Sequence, residues 1–411
     1  MIKKLFYLFV FFAPFTSFFA LSAWLRLPVV VNQLLFLTLI IAVFKNNKVK
    51  TKWVLKEDLY LFAFLGIVLL SFLFGYREQR SFNHSLAYIN SVLFYFFLFK
   101  YVVVLLKITS KEIAKIVYWS FCIVSFIIIT DFIGRNFYNY SLRSVFSEVD
   151  GAISNMDYFI RSGYRRVGGV AEEPGHMALF YNIYFGITLY YIHLKKNIKK
   201  YFFVFFLFIA SHFAMLSNAG IVLPIVALMF VFIINKLKTL KISQNQLISL
   251  LSLLVILFIT FIVILFFDFG NTRSFLQEFF DKIFFNESAE YSSSGQRLKQ
   301  WKRALFNFVE RPVLGKGPGF GVHEDAEGYL SVYLTILSDV GIISFLLFVS
   351  FQQAIVKKVM QLEKYTRSFL LISIITSFLH IIIVADFYHA PLWILFAFTQ
   401  LVYKEQNQLK L

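Results

Sequence analysis

Long apolar stretches separated by short polar segments make up most of this chain. We count about twelve, each close to the roughly 20 residues that a helix needs to cross a bilayer. They cover approximately residues 5–23, 28–44, 59–76, 86–106, 113–134, 176–194, 201–217, 219–234, 247–267, 328–351, 368–384 and 387–403. No internal repeat or low-complexity linker interrupts the series. The pattern predicts an all-α integral membrane protein in which residues 1–411 form a single polytopic domain.

The composition supports a membrane protein and argues against a water-soluble one. Hydrophobic residues make up 59% of the 411 residues and charged residues only 15%, and the 55 phenylalanines include runs such as 202–208. The net charge of +17 would suit nucleic acid, but the lysines occur in short clusters between apolar stretches. Such clusters indicate membrane topology, so we expect no nucleic-acid partner. The single cysteine, Cys122, excludes an internal disulfide.

The lysine clusters predict the orientation of the chain. If the N-terminus is cytoplasmic, every second loop carries lysines, as the positive-inside rule requires. These lysines are Lys45, Lys48, Lys50, Lys52 and Lys56, then Lys107 and Lys111, then Lys195, Lys196, Lys199 and Lys200, then Lys236, Lys238 and Lys241, and finally Lys357, Lys358 and Lys364. Both termini are then cytoplasmic, and two long loops, about 135–175 and 268–327, lie outside. Residues 20–23 resemble a signal-peptide cleavage site, but a second apolar stretch follows at once, so we expect no cleavage.

Arginines are distributed differently from lysines. With this topology, every arginine except Arg367 lies outside, together with only four lysines. A guanidinium group binds phosphate through two parallel hydrogen bonds, which an ammonium group does not do. The asymmetry therefore suggests a phosphate-bearing ligand at the external surface. The alternative is that these arginines form surface salt bridges with external acids.

The densest group of charges lies just before the predicted span at 176–194. It consists of Arg161, Arg165, Arg166, Glu172, Glu173 and His176. The pairs Gly168-Gly169 and Pro174-Gly175 impose an irregular backbone around these residues, which suits a shaped site better than a mobile loop. A solvated loop of mixed charge is the alternative.

The second long loop contains another candidate site. Arg297 and Trp301 share one helical face, and Arg303 follows them. An arginine beside an indole can bind a phosphate and stack on a sugar ring, although an amphipathic helix on the membrane surface would show the same spacing. Glycines at 315–321 imitate a nucleotide-binding loop, but no strand and helix flank them, so we interpret them as a flexible elbow. His323 follows among several acids.

Few ionisable residues fall inside the predicted spans, which argues against a proton-coupled transporter or a channel. Asp339 is the deepest. Either it lies within the membrane, where an acid is a functional candidate, or its segment precedes a shorter span that begins at Gly341.

Several of these motifs together resemble the O-antigen polymerase and O-antigen ligase superfamily. They are Arg165-Arg-Val-Gly168 before Glu173-Pro-Gly-His176, then Arg297-x-x-x-Trp301, Pro312-x-x-Gly315-x-Gly317 and Asp339-Val-Gly341. The resemblance covers roughly residues 115–400, with its signature region at about 161–345. Asn218 departs from the Ser-Arg turn of that family. Its His-Asn pair is also missing, and His323 stands further upstream.

The resemblance implies a multi-span helical glycosyltransferase. Such an enzyme transfers glycan from undecaprenyl diphosphate to an acceptor hydroxyl on the external face of the bacterial inner membrane. The lipid carries the activated sugar, so we expect no cofactor, and no residue set shows metal-ligand spacing. The candidates for diphosphate and glycan binding are Arg161, Arg165, Arg166, Arg297, Trp301 and Arg303. The candidates for the general base are Glu173, Glu172, His176 and His323.

Two arginine clusters favour a polymerase, because its donor and its acceptor both carry a diphosphate. These clusters are Arg161, Arg165 and Arg166 in one loop and Arg297, Arg303 and Arg311 in the other. An O-antigen ligase is the alternative within the family. A lipid-linked glycan flippase should instead place cations inside a central cavity, and a scaffold protein has no need for this loop. The expected partners are the lipid-linked oligosaccharide, membrane lipid and other assembly proteins such as a chain-length regulator.

Overall fold

The computed structural model describes residues 1–19, 25–45, 53–142, 160–161, 163–239, 293–326, 328–385 and 387–408. The helices are α1 Ile2–Phe12, α2 Leu27–Lys45, α3 Asp58–Phe74, α4 Gln79–Leu105, α5 Ser110–Phe137, α6 Pro174–Lys195, α7 Ile198–Met215, α8 Asn218–Thr239, α9 Ser293–Glu310, α10 Phe320–Glu324, α11 Val332–Thr335, α12 Ile342–Met360, α13 Lys364–His380 and α14 Ala390–Gln408. Two short antiparallel strands, β1 Ile160–Arg161 and β2 Tyr164–Arg165, form one hairpin. The described chain is therefore helical almost throughout, which confirms the predicted all-α class.

Five of the described helices, α4, α5, α7, α8 and α12, are long and apolar enough to cross a membrane, and α2 and α3 contain shorter apolar helices. The bounds of α2, α3, α5 and α7 follow the apolar stretches within a few residues, because lipid-facing and core-facing positions are both hydrophobic. By contrast, α4 begins earlier than its predicted stretch, and α12 begins and ends later. The first stretch, predicted at 5–23, gives only an eleven-residue helix. Pro14 cannot continue α1, since it lacks a backbone N–H and its ring clashes with the preceding turn. The predicted span at 247–267 and the cleavage site at 20–23 lie outside the described residues.

Helix ends meet at two opposite ends of the bundle. At one, which we call the lysine end, α1 meets α5 through Lys3 and Glu112, whose Nζ and Oε1 are 2.7 Å apart. There the last turn of α12 also meets the residue before α3, with Lys358 Nζ 3.0 Å from Glu57 Oε1. At the other, which we call the site end, the loop before α6 meets Arg26 at the start of α2. Connected helices thus alternate in direction, as the sequence predicts for successive spans.

A buried ion pair fixes the lysine end. Asp58 is fully buried and accepts hydrogen bonds from the Lys100 ammonium, from Gln400 Nε2 at 3.0 Å and from the backbone N–H of Leu55 at 2.7 Å. A charge taken out of water is tolerated only when it is paired and hydrogen-bonded. This pair connects α3, α4 and α14, so Lys100 has a structural partner within its predicted span.

A break at Gly341 divides the predicted span 328–351. A short α11 and a π-helical turn, Ile336–Val340, precede the break, and the long helix α12 follows it. Gly341 has φ +89° and ψ 175°, a backbone conformation that only glycine adopts readily. Of the two arrangements considered for Asp339, the structure has the one in which its segment precedes a shorter helix.

Asp339 holds the glycine-rich elbow against this break. Its carboxylate accepts the backbone N–H groups of Gly319 at 3.0 Å and Gly321 at 3.1 Å. Its backbone carbonyl accepts the N–H of Gly317 at 2.9 Å and the hydroxyl of Ser71 at 3.0 Å. The elbow, which the sequence suggested was flexible, is therefore pinned at several points.

We expect Gly341→Ala to destabilise the protein by at least about 2 kcal/mol, because a Cβ at this φ is strained and overlaps the carbonyl of Val313. Gly66→Ala in α3 is the matched control, since nothing lies within 4 Å of its added Cβ and alanine favours a helix. Reaction of the single buried thiol, Cys122, with a fluorescent dye during heating reports unfolding. Equal melting temperatures for Gly341→Ala and wild type would show that the break is not needed.

Candidate functional site

The apolar residues of the loop before α6 anchor it to the bundle, whereas its charged residues are partly exposed. Val167, Val170 and Ala171 are fully buried, and the carbonyl of Val170 accepts the backbone N–H of Ser17 at 3.0 Å. Pro174 then occupies the first turn of α6, where its missing N–H costs nothing. The loop is thus attached to the bundle on both sides of the charges at 172–176.

Glu172 lies between a cation and an imidazole. Its Oε1 is paired with Arg26, and its Oε2 is 3.6 Å from His176 Nδ1. Burial alone would raise the pKa of Glu172, but the neighbouring His176, His389 and Arg26 lower it below its ordinary value. Glu172 therefore stays ionised at neutral pH and holds its two neighbours in place.

Glu173 is the more open carboxylate of the pair. Its side chain is 34% exposed, compared with 16% for Glu172, and its Oε2 is 4.0 Å from His176 Nε2. His176 thus lies beside both acids, because it follows them by four and three residues in the first turn of α6. The negative charge of Glu173 also acts on the guanidinium of Arg297.

Arg297 brings the second long loop to the same place. It lies in the first turns of α9 and donates from Nε to the carbonyl of Ile383 at 3.2 Å. Burial lowers the pKa of this guanidinium, and the negative charge of Glu173 partly offsets that effect. The guanidinium remains charged at any physiological pH. Two residues predicted separately in distant stretches, Glu173 and Arg297, therefore lie close enough for their charges to interact.

His389 completes the group and was not predicted. It precedes α14, and its ring centroid is 6.1 Å from that of His176 and 5.1 Å from that of Phe180. Arg26 was noticed only as an external arginine. Neither residue forms a motif with Glu172 along the sequence, so only the packing of α2 and α14 against α6 brings them here.

The remaining residues of the first arginine cluster lie on the flank of this group. Arg165 donates from Nη1 to Asn139 Oδ1 at 2.9 Å, and Arg166 donates from Nε to the carbonyl of Met215 at 3.2 Å. Both side chains are half-buried. The backbone of Arg161 pairs with Tyr164 in the hairpin, but its side chain lies outside the described residues.

Arg303 is engaged in a different set of contacts. Its Nη2 donates to the carbonyls of Gly321 and Gly328, both at 3.0 Å. Its guanidinium also lies 3.7 Å from Glu324 and 3.4 Å from Asp325. These contacts fix the loop after the elbow. Trp301, two residues before Arg303 in α9, is half-buried.

His323 belongs to a third cluster, at the ends of α3 and α4. Its Nδ1 is 2.7 Å from the hydroxyl of Tyr76 and 3.8 Å from Glu78 Oε2, and its side chain is 41% exposed. The structure therefore brings together Glu172, Glu173, His176 and Arg297 of the predicted site residues, and it gives His323 other partners.

We expect Arg26 and Glu172 to be energetically coupled. Arg26→Gln leaves a half-buried carboxylate without its ion pair, so a double-mutant cycle with Glu172→Gln should give about 1–3 kcal/mol of coupling. Lys3 and Glu112 form the control pair, because their side chains are 47% and 38% exposed. Screening by water should make their coupling weaker than that of Arg26 and Glu172. The temperature at which the Cys122 thiol becomes reactive toward a dye measures the stability of each variant. Additive effects at Arg26 and Glu172 would mean that the ion pair does not organise the loop.

Comparison with known proteins adds one finding. Residues 203–349 match a family model described as O-antigen ligase. The matched range includes Arg297, Trp301 and Asp339, whereas Glu172 and His176 lie before it. No curated protein matches the chain. The family match confirms that the chain resembles the O-antigen polymerase and ligase superfamily, whose members are glycosyltransferase-like membrane enzymes.

Proposed function

We propose that this protein is a polymerase of lipid-linked oligosaccharide repeat units of O-antigen, capsule or exopolysaccharide. It transfers the growing glycan from undecaprenyl diphosphate to a sugar hydroxyl of the next repeat, at the external face of the bacterial inner membrane. The observation that carries this proposal is the meeting of Glu172, Glu173 and His176 with Arg297 at the site end, away from the lysine end.

The charges at the site end suit the proposed reaction. The bond between the donor sugar C1 and the phosphate oxygen breaks, and the diphosphate leaves with growing negative charge. Arg297, aided by Arg165 and Arg166, would stabilise that charge as it develops. No nucleotide is required, because the lipid diphosphate is itself the leaving group.

Glu173 is the proposed general base. The acceptor hydroxyl must lose its proton as its oxygen bonds to C1, and a carboxylate within reach can take it. Glu173 is the more exposed acid, whereas Glu172 is held by Arg26, and its lowered pKa makes it the weaker base. His176 contacts both carboxylates and would orient Glu173. His323 lies in a separate cluster with Tyr76 and Glu78, which makes it a less suitable base than Glu173.

Two alternatives to the polymerase differ from it in chemistry. An O-antigen ligase would use the same donor but transfer the glycan to a lipid A-core or another anchor, and the description of the matching family favours it. The Glu172-Glu173-Pro174 element favours the polymerase, as do Arg165 and Arg166 from one loop and Arg297 from the other. Arg303 holds a loop instead. A flippase would need cations along a central path, but the buried Lys100 is paired with Asp58 at the lysine end. Among proteins that act with the polymerase, we expect a chain-length regulator.

The proposed topology has twelve spans and cytoplasmic termini. Reporter fusions after Lys52, Lys199 and Lys241 should therefore give cytoplasmic signals, and fusions at Ser154 and Ser293 should give external ones, because the positive-inside rule fixes the lysine clusters inside. A cytoplasmic signal from the fusion at Ser293 would place the two long loops on different sides and contradict a shared site.

Deletion of the gene distinguishes the polymerase assignment from the ligase assignment. Without the polymerase, single repeats should still reach their final anchor, because ligation survives. Gel analysis of surface glycan should then show anchors that carry one repeat, and the wild-type gene should restore long chains. Long chains stranded on the carrier lipid beside a bare anchor would instead assign the protein as a ligase.

A further inference from the structure

Glu172, His176 and His389 form a ligand set that the sequence did not predict. Each offers one ligand atom, and these atoms all lie within 4.8 Å of one another. All three side chains are half-buried, so the group differs from an exposed patch of acids. Two imidazoles and one carboxylate are typical ligands of divalent transition metals in sites that keep open positions for water or substrate.

The geometry allows a single ion. Metal–ligand bonds of about 2.0–2.2 Å require the ligand atoms of one site to lie within about 4.4 Å of each other. The ligand atoms lie up to 4.8 Å apart, a few tenths of an ångström more than this requirement. Small side-chain rotations close that gap. Glu172 Oε2 and His176 Nδ1, 3.6 Å apart, already have a spacing suited to two ligands of one ion.

A carboxylate that binds a metal through one oxygen usually has its other oxygen held by a neighbouring group. For Glu172, that group is Arg26. It pairs with Glu172 through Oε1 and leaves Oε2 directed to His176. Contacts of this kind orient metal ligands, and their loss typically weakens metal binding about 10- to 100-fold. Arg26 therefore fits the role of an orienting residue as well as that of an ion-pair partner.

The charge of the surroundings permits a cation. Glu172 and Glu173 carry two negative charges, and Arg26 and Arg297 carry two positive ones, so the group is neutral when the imidazoles are neutral. Metal ligands must be deprotonated, and the ion pair with Arg26 favours the deprotonated form of the Glu172 carboxyl. A bound ion leaves the site with two positive charges.

We propose that Glu172, His176 and His389 bind one divalent transition-metal ion, such as Zn²⁺, Mn²⁺ or Co²⁺, at the site end. The ligands come from the loop before α6, from α6 itself and from the residue before α14, so binding ties these elements together. The metal site does not rest on the proposed function. If that function holds, the ion adds positive charge beside Arg297, where the donor diphosphate is expected.

Metal binding to the purified, untagged full-length protein tests this inference directly. After removal of metals with a chelator, titration with Zn²⁺ in a calorimeter and with Co²⁺ in an absorption spectrometer should show one saturable site per chain. His176→Asn and His389→Asn should each weaken binding by at least about tenfold, because each removes a ligand. His323→Asn is the matched control and should bind as wild type does. The proposal fails if wild type shows no saturable site or if both ligand variants bind normally.

A second measurement needs no variant. X-ray absorption of the zinc-loaded wild-type protein should show a shell that contains two imidazoles. A shell of oxygen atoms alone, or one that contains the sulfur of Cys122, would overturn the assignment. Neither readout depends on glycan transfer. Failure of the metal site can therefore be distinguished from failure of the proposed function.

Discussion

The buried carboxylate of Asp339 organises the site end of the bundle. It is fully buried, and its two oxygens accept backbone N–H groups from the elbow, which partly offset the cost of its burial. The elbow can approach so closely only because its residues are glycines. A Cβ on Gly315 would overlap the backbone of Asp339, and one on Gly319 would lie 2.6 Å from His84. This contact sets the position of α10 and of the loop that Arg303 holds, and through them the position of α9 and Arg297.

This arrangement gives Asp339 a positioning role. An acid in a predicted span suggested a functional group, but the Gly341 break places it before α12 and its oxygens are used by the elbow. Arg303 shows the same pattern, since its guanidinium contacts Glu324, Asp325 and two carbonyls. Arg297, by contrast, is half-buried, and its charge interacts with that of Glu173. The two arginines are close in sequence, yet one fixes a loop and the other meets the proposed base.

Hydropathy predicted the helices well and the breaks poorly. The stretches 113–134 and 201–217 correspond to α5 and α7 within a few residues, because membrane helices need long apolar runs. Apolar content carries no information on backbone torsion, so the break at Gly341 was left as one of two possibilities. Within the site, Glu172 and His176 are neighbours in sequence and could be predicted together. His389 could not, because its contact depends on how α14 packs against α6.

The central claim is that Glu173 and Arg297 act on one lipid-linked donor. Its most direct test is extension of a synthetic undecaprenyl-diphosphate repeat by the purified protein in lipid vesicles, analysed by mass spectrometry. Glu173→Gln should lower kcat/KM by at least about 100-fold, because the base is lost. Arg297→Lys should lower it by at least about tenfold, because the bidentate contact is lost. Arg367→Lys, whose guanidinium contacts Asn235 away from the site, should retain activity. Full activity of correctly folded Glu173→Gln and Arg297→Lys proteins would contradict the account.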